Sequence, residues 1–405
     1  MRKIRRGNAN PDGEPLSAGR VEYLEAARAR VRAKRIRRTV VLVTALTLVI
    51  LFATGVVGSS IARAKDLVDT VQIAMAPASG WPQQTGITDP DTVVPMSSSF
   101  VLKGGDSCAV YSLSGKKLNS IQSGYARPAI AVGRTRFVLY NRSGNELRVE
   151  SRTQNLYTKT MDSTIHLCAV ANAGQVAVVT DDPDSAARLT VYNAAMEQTL
   201  SWNLTSAQGT PLRMAFSADS RRLAVAAVAA VGGQLTTNLY ALPLSQGDPV
   251  QLGTANGVPR WMGWLTADSL LVLYQDRGVL YGANGGEKAS YAFSGASLVS
   301  VSDTDSGLAL LLSSGQTCTA VLLDRELGVI CSSSVPAAQR IVGTDAGFYL
   351  LTDSAVEFFD KTGTFQWSQE LSARPQALVA GKQLLVLTGN TVQVLTPPQQ
   401  DADSQ

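Results

Sequence analysis

Six basic side chains precede apolar stretches of the sequence and form the best candidate for a binding site. Each lies two to five residues before the apolar residue that marks a predicted strand. The six are Arg127, His166, Arg213, Arg260, Arg340 and Arg374. If these strands line one channel and begin at the same end, the side chains converge there, and a ring of cations attracts an anionic ligand. Arginine adds a planar fork that binds carboxylate or phosphate through two parallel hydrogen bonds.

The alternative interpretation is that each cation pairs with a nearby acid or points to solvent. The distance from the cation to the strand varies among the six. A shift of one residue moves a strand side chain to the opposite face of its sheet. The sequence leaves both interpretations open.

No catalytic set based on several histidines can be built, because His166 is the only histidine of the chain. A serine triad would have to take its base from this residue, and the Gly-x-Ser-x-Gly elbow is absent. The simpler interpretation of His166 is a buried, hydrogen-bonded residue of a strand.

Two groups of aspartates lie in predicted turns. They are Asp181, Asp182 and Asp184, and Asp303 with Asp305. Clustered carboxylates could bind Ca²⁺, but the spacing differs from that of an EF-hand loop, and aspartate is a frequent turn residue. We assign no catalytic residue, metal or cofactor, and no acid and nucleophile pair of a glycosidase. The sequence leaves an enzymatic role open and favours a non-enzymatic one.

Two of the four cysteines, Cys318 and Cys331, flank a predicted hairpin. If Leu323 pairs with Glu326 across the turn, the two cysteines lie opposite each other and a cross-strand disulfide is sterically allowed. The alternative is two free, half-buried thiols.

The elements that would position these residues are short β-strands. From residue 97 to 395, apolar runs of four to seven residues alternate with Gly, Asp, Asn and Ser turns, and no helical period is visible. Similar units begin every 37 to 48 residues. A period of roughly 40 residues with four short strands is typical of a β-propeller blade. The sequence predicts an all-β propeller of about eight blades, or seven if the two partial end units merge, with a strand near Val93 closing the ring.

The clearest unit supports a family resemblance. The segment Phe216-Ser-x-Asp-Ser-x-x-Leu-Ala-Val225 resembles the repeat of WD40-like and TolB-like propellers. The whole layout resembles an uncharacterised family of bacterial proteins with one membrane anchor and an extracytoplasmic propeller. The Gly-His and Trp-Asp dipeptides of true WD40 blades are absent, so the resemblance does not imply their cytoplasmic scaffold role. It implies a binding or scaffolding module.

An apolar stretch near the N-terminus predicts a single membrane-spanning helix. Residues 39–57 contain no charged side chain, and a helix of this length reaches roughly 28 Å, close to the thickness of the hydrocarbon core. Residues 1–38 hold 12 Lys and Arg against 4 Asp and Glu. This basic excess places the N-terminus in the cytoplasm and the long C-terminal part outside. The alternative is a cleaved signal peptide, because Ala62-Arg63-Ala64 has the small-x-small form of a cleavage site.

The predicted domains follow from these boundaries. They are a basic, partly helical cytoplasmic segment at 1–38, a transmembrane helix at 39–61, a stalk at 62–96, a propeller at 97–396 and a disordered tail at 397–405. The predicted function is a membrane-anchored extracytoplasmic binding or scaffold module for a protein partner or an anionic envelope polymer, without a nucleic-acid partner. Two alternatives stay open: a propeller hydrolase or lyase acting on envelope glycans, and a signalling or assembly subunit that uses the basic cytoplasmic helix.

Overall fold

The computed structural model describes residues 56–75, 77–87, 90–245, 247–315, 317–381 and 383–397. The chain divides into two compact units, Met1–Ser60 and Ile61–Gln405, and the second contains nearly all of the described residues. The predicted basic segment and most of the predicted membrane span lie outside the described residues. Among the helices within the ranges given above, none is both long and apolar enough to cross a membrane.

One helix and 32 short strands make up the described regular structure. The helix is α1 (Val56–Met75). The first nine strands are β1 (Gln83–Gln84), β2 (Thr92–Met96), β3 (Ser99–Lys103), β4 (Ser107–Ser112), β5 (Lys117–Gln122), β6 (Pro128–Val132), β7 (Arg136–Asn141), β8 (Glu146–Ser151) and β9 (Asn155–Thr160). The next eight are β10 (Ile165–Val170), β11 (Val176–Thr180), β12 (Ala187–Tyr192), β13 (Gln198–Leu204), β14 (Thr210–Phe216), β15 (Arg222–Val231), β16 (Gln234–Pro243) and β17 (Val250–Asn256).

The second half of the chain continues the same pattern. Its first eight strands are β18 (Trp261–Thr266), β19 (Ser269–Leu273), β20 (Arg277–Gly282), β21 (Glu287–Ala292), β22 (Ser297–Thr304), β23 (Gly307–Ser313), β24 (Cys318–Asp324) and β25 (Val329–Val335). The last seven are β26 (Arg340–Thr344), β27 (Gly347–Leu351), β28 (Ala355–Asp360), β29 (Phe365–Glu370), β30 (Pro375–Ala380), β31 (Leu384–Thr388) and β32 (Thr391–Leu395).

These strands form eight four-stranded antiparallel sheets. Seven sheets use four consecutive strands: blade 1 is β2–β5, blade 2 is β6–β9, blade 3 is β10–β13, blade 4 is β14–β17, blade 5 is β18–β21, blade 6 is β22–β25 and blade 7 is β26–β29. Blade 8 combines β30–β32 with β1 from the start of the chain. The fold is an eight-bladed β-propeller, so the predicted all-β class and the larger of the two predicted blade numbers are confirmed.

Burial explains why continuous apolar runs form the middle of each blade. The second strand is buried on both faces, as in β3, where Phe100, Val101 and Leu102 expose at most 1% of their surface. Outermost strands such as β9 alternate between exposed and part-buried positions instead. A strand covered on both faces favours an uninterrupted apolar run, whereas a half-covered strand favours alternation. The apolar faces are covered by neighbouring blades, as where Val138 of blade 2 packs with Val178 of blade 3.

The antiparallel order also determines which loops share a face of the propeller. The loop that enters each innermost strand and the loop between the second and third strands lie at one end, which we call the arginine face. The loop between the first and second strands and the loop between the third and fourth lie at the other end, which we call the helix face. Because every blade has the same strand order, all innermost strands begin at the arginine face.

The strand that closes the ring differs from the one that the sequence predicted. The closing strand is β1, in which Gln83 and Gln84 pair with Val392 and Thr391. Val93 lies instead in the innermost strand of blade 1, where it pairs with Leu102. The reason is local, because the short connection between β2 and β3 brings these two strands together as a hairpin. Blade 1 therefore begins at Thr92, and the predicted stalk at 62–96 contains part of α1, β1 and β2.

Arg152 fixes α1 to the helix face. Its side chain lies in the loop between β8 and β9 and is completely buried. Its Nε donates to Asp69 Oδ2 of α1 at 3.0 Å, and its Nη2 donates to Thr70 Oγ1 at 2.6 Å. Nη1 donates to the carbonyl oxygen of Ser97 at 3.0 Å. The Thr153 hydroxyl also donates to the carboxylate of Asp69. A buried charge is tolerated only when it is paired and hydrogen-bonded, so this contact ties α1 to blades 1 and 2.

A second buried arginine repeats the arrangement one turn earlier in α1. Nε of Arg136 at the start of β7 donates to both carboxylate oxygens of Asp66, each at 3.0 Å. Its Nη1 donates to the carbonyl oxygen of Ala194 in blade 3 at 2.8 Å. Thr135 adds a hydroxyl donor to Asp66 at 3.3 Å. The C-terminal half of α1 is therefore held by two arginines of blade 2, which also donate to carbonyl oxygens of blades 1 and 3.

The buried pair of Arg152 and Asp69 leads to a stability prediction. Arg152→Met leaves the Asp69 carboxylate buried without its cation, and we expect the docking of α1 to weaken by about 3–5 kcal/mol. Amide hydrogen exchange of residues 65–75 should accelerate in this variant, and the thermal unfolding midpoint should fall. The double variant Arg152→Met/Asp69→Leu should recover part of the loss, because it removes both charges.

Arg221→Met is the matched control, because the Arg221 side chain is 85% exposed and its removal should change neither measurement. Unchanged exchange of residues 65–75 in Arg152→Met would contradict this assignment.

Candidate functional site

All six predicted cations lie where innermost strands begin, at the arginine face. Arg127, Arg260 and Arg374 immediately precede β6, β18 and β30, Arg340 is the first residue of β26, His166 is the second residue of β10, and Arg213 lies within β14. Blades 2, 3, 4, 5, 7 and 8 each contribute one cation. The repeated strand order therefore brings the six residues to one face. Their individual contacts differ.

Two of the six pair with an acid from a loop between second and third strands. Nε2 of His166 lies 2.5 Å from Asp181 Oδ1, and this hydrogen bond lowers the pKa of the Asp181 carboxyl. Arg374 forms an ion pair with Asp353 at 3.3 Å, with both side chains largely exposed. His166 is hydrogen-bonded and lies on a strand, as the simpler interpretation expected, but 38% of its side chain is exposed rather than buried. For these two residues the local pairing interpretation describes the structure.

Arg213 and Arg260 are in direct contact where blades 4 and 5 meet. Nε of Arg213 donates to the carbonyl oxygen of Arg260 at 3.3 Å, and its Nη1 donates to the carbonyl oxygen of Leu212 at 2.9 Å. Loss of water around the guanidinium, with repulsion from Arg142 and Arg260, lowers the pKa of Arg213. Arginine keeps its charge at physiological pH. We call Arg142, Arg213 and Arg260 the arginine cluster.

No carboxylate of the described residues forms an ion pair with the arginine cluster. Nε of Arg260 donates to the neutral amide oxygen of Gln275 at 2.9 Å. Such groups fix the orientation of a guanidinium and leave its charge in place. The cluster is therefore a region of positive potential on the arginine face, and an anion placed there would gain charge-assisted hydrogen bonds.

The remaining two cations lie outside this cluster. Arg127 is exposed, and its main-chain N–H donates to Asn141 Oδ1 at 3.3 Å. Arg340 is half-buried, and loss of water lowers its pKa. The predicted even ring of cations is thus an uneven arrangement, in which positive charge is concentrated at the cluster.

Arg142 was missed in the sequence because it does not precede an innermost strand. It lies in the loop between β7 and β8, where Arg142 and Ser143 form a turn that the Gly144 N–H closes by donating to the Asn141 carbonyl oxygen at 3.0 Å. The strand order of a propeller blade could have identified Arg142, because the loop between the second and third strands lies on the same face as the start of the innermost strand. Basic residues in both kinds of loop therefore lie on the same face.

Asp181, Asp182, Asp184 and Asp305 lie in turns or loops between strands, whereas Asp303 lies within β22. Asp182 Oδ1 accepts hydrogen bonds from the main-chain N–H of Asp184 at 3.1 Å and from Ser185 Oγ at 3.0 Å. Asp303 lines a cavity of about 630 Å³ on the helix face, where burial raises its pKa. Nε of Arg325 donates to the Asp305 carbonyl oxygen in the same cavity at 3.1 Å. Across the described ranges, no three or more His, Cys, Asp or Glu side chains are grouped to hold a metal ion.

Of the two alternatives for Cys318 and Cys331, the structure has free thiols and not the cross-strand disulfide. Cys318 lies opposite Val335, and Cys331 lies opposite Leu322. Both cysteines are free and buried. The register differs because the turn is longer than the assumed two residues, so that β24 and β25 begin to pair only beyond it and contain a bulge. Asp324 stabilises this turn by accepting main-chain N–H donors at 2.8 and 2.7 Å.

Comparisons with known proteins support the fold. Residues 81–250 match the model of a "Family of unknown function (DUF5711)", and no curated protein matches the sequence. The structure is similar to BamB from Moraxella catarrhalis, with 12% identity, a TM-score of 0.50, and coverage of 78% of this chain and 99% of that chain.

Two further solved propellers match at a comparable level. The C-terminal WD40 domain of Sif2 has 12% identity and a TM-score of 0.53, with coverage of 76% and 97%. Apo AztD from Citrobacter koseri has 10% identity and a TM-score of 0.51, with coverage of 71% and 87%. At this level of identity the similarity establishes the β-propeller fold alone.

The register of β24 and β25 predicts the redox state of the cysteines. All four should be free thiols, so alkylation in denaturant should add four groups to the intact mass with or without a reductant. The number of adducts is read from the mass spectrum of the purified chain. Two fewer adducts in the sample without reductant would indicate a disulfide and contradict the observed strand register.

Proposed function

We propose that the chain is a binding module of the cell envelope whose arginine face binds an anionic partner. The partner is a protein segment rich in carboxylates or an anionic envelope polymer. The observation that carries the proposal is the arginine cluster, three cations that no described carboxylate neutralises. An eight-bladed propeller suits this role, because its loops place residues distant in sequence around one surface.

The chemistry of the cluster favours an anion with several charged groups. Each guanidinium offers a planar set of donors that matches carboxylate or phosphate oxygens. Loss of water lowers the pKa of Arg213 most, and the added repulsion from Arg142 and Arg260 is relieved when a negative charge is placed beside Arg213. The arginine face also carries Arg127 and Arg340, for which no ion pair is found in the described part of the chain. A chain-like anion could engage these side chains in addition to the cluster.

The proposed location rests on the sequence. The apolar run at 39–57 and the basic excess before it favour an anchored protein with its propeller outside the cytoplasm. The resemblance to WD40-like and TolB-like repeats favours a binding module. An extracytoplasmic propeller of this kind would meet anionic polymers and acidic proteins of the envelope.

The proposal predicts that removing the cluster weakens polyanion binding. In the triple variant Arg142→Gln/Arg213→Gln/Arg260→Gln, we expect the Kd for polyglutamate or polyphosphate to rise by about tenfold or more, because each lost charged hydrogen bond costs about 1.5–3 kcal/mol. Wild-type binding should weaken as salt is raised, since the interaction is electrostatic. Fluorescence anisotropy with labelled polymers measures both effects.

A charge-matched control separates the cluster from general charge. Arg134→Gln/Arg221→Gln/Lys361→Gln removes three exposed cations from loops of the helix face and should leave the Kd nearly unchanged. Equal binding by the cluster variant and the wild type, or an equal loss in both variants, would refute the proposed site. A preference for polyphosphate or for polyglutamate would show which class of anion the site recognises.

A further inference from the structure

Blade 8 differs from the other blades in its outermost strand. Strand β1 has 2 residues, whereas the outermost strands of the other blades have 6 or 7. It pairs only with Val392 and Thr391 of β32. The end of β32, from Gln393 to Leu395, therefore has no strand on its outer side among the described residues.

The register of β32 shows which of its main-chain N–H and C=O groups have no partner strand among the described residues. Thr388 and Thr391 close a two-residue turn between β31 and β32, so alternate residues from Thr391 onward direct their N–H and C=O toward β31. The residues between them point outward, as the carbonyl oxygen of Asn390 shows by accepting from the Thr85 N–H at 2.8 Å. Val392 is likewise opposite Gln83. Val394 is the next outward residue, and no strand of the described chain lies opposite it on that side.

The residues before β1 do not fill the gap because they are held against blade 1. Pro82 has no main-chain N–H to contribute to a ladder. Gly80 donates its N–H to the Ser114 carbonyl oxygen at 3.1 Å, and Trp81 Nε1 donates to the Leu113 carbonyl oxygen at 3.0 Å. The chain therefore leaves β32 after two paired residues.

Two cavities flank the open edge at Val394, which is 38% exposed. One has a volume of about 440 Å³ and is lined by Trp81, Leu113 and Val394. The other has a volume of about 490 Å³ and is lined by Tyr349, Leu384 and Val394 among others. Successive side chains of an added strand would point to opposite faces of the sheet, so they would enter these two cavities in turn.

We propose that the open edge of β32 binds an extended segment of a partner protein, with apolar side chains at successive positions, as an added strand of blade 8. Main-chain hydrogen bonds to Val394 would supply affinity, and the two cavities would supply specificity, as in other cases of strand addition. This surface is separate from the arginine cluster, so the proposal does not depend on the one above.

The C-terminal tail of the chain does not have the chemistry of this occupant. The residues at 398–405 are Pro-Gln-Gln-Asp-Ala-Asp-Ser-Gln. They offer no large apolar side chain for either cavity, and two of them are aspartates. A separate segment with larger apolar residues matches the lining better.

The test uses the full chain in lipid nanodiscs and a panel of labelled seven-residue peptides that carry Val, Leu or Phe at successive central positions and Thr elsewhere. We expect at least one peptide to bind, and we expect its copy with N-methylated central residues to bind at least tenfold more weakly. The N-methylated copy keeps the side chains and loses the donors of the ladder. If no peptide binds at about 1 mM, the proposal is overturned. A Kd of about 1 mM corresponds to a binding free energy of only about 4 kcal/mol.

Val394→Pro is the matched protein variant, because it removes the outward N–H and leaves the ladder to β31 intact. We expect it to weaken the peptide by about three- to tenfold, the value of one main-chain hydrogen bond, without lowering the thermal unfolding midpoint. If Val394→Pro proves unstable, Val394→Lys places a charge at the same edge and should also weaken binding.

Other occupants have distinct outcomes, and each of them overturns the proposal. Peptide binding that strengthens more than tenfold after deletion of residues 398–405 would assign the edge to the chain's own tail. A dimer that dissociates in Val394→Pro, with no peptide binding by either protein, would assign it to a second copy. Equal binding of the parent and N-methylated peptides would exclude strand addition.

Discussion

A four-stranded blade with two apolar faces is stable only when both faces are covered, and this constraint explains most of the molecule. Each blade is covered by its two neighbours, so the array has no exposed apolar end only if it closes into a ring. Here the closure joins the two ends of the propeller sequence. Leu387 and Val392 of blade 8 pack with Phe100 and Tyr111 of blade 1, and β1 adds its main-chain pairs to the same junction.

Because the ring is closed, the arginine face and the helix face each gather residues from several blades. All innermost strands begin at the same end, so loops that are far apart in sequence present their side chains together. The arginine cluster draws its members from blades 2, 4 and 5 in this way. The helix face receives α1, whose Asp66 and Asp69 pair with buried arginines. The closing strand, held short by its contacts with blade 1, leaves one sheet edge without a partner strand among the described residues.

The sequence predicted the fold class and the approximate blade number, which depend on periodicity. It did not predict the closing strand or the cysteine register, which depend on strand pairing. The spacing of apolar runs predicted the class and about eight blades, with seven left open, because every blade meets the same burial requirement. The closing strand was misassigned because Gln83 and Gln84 carry no apolar signal. The disulfide alternative fails because a longer turn places Cys318 opposite Val335.

The candidate site followed the same rule. The six predicted cations lie at the expected strand starts, but Arg142 could not be found without knowing which loops share a face. Helix α1 is the strongest case, since it turns acids inward and exposes Leu67, Val71 and Met75 by 54–80%. Its partners Arg136 and Arg152 are 70 and 83 residues away from Asp66 and Asp69. No local pattern in the sequence encodes such contacts.

The most direct test of the account is a structure of the protein determined with a short oligoglutamate bound. The account predicts density for carboxylates between Arg142, Arg213 and Arg260 at the arginine face. Density at the helix face, or an unoccupied arginine cluster under saturating peptide, would contradict it.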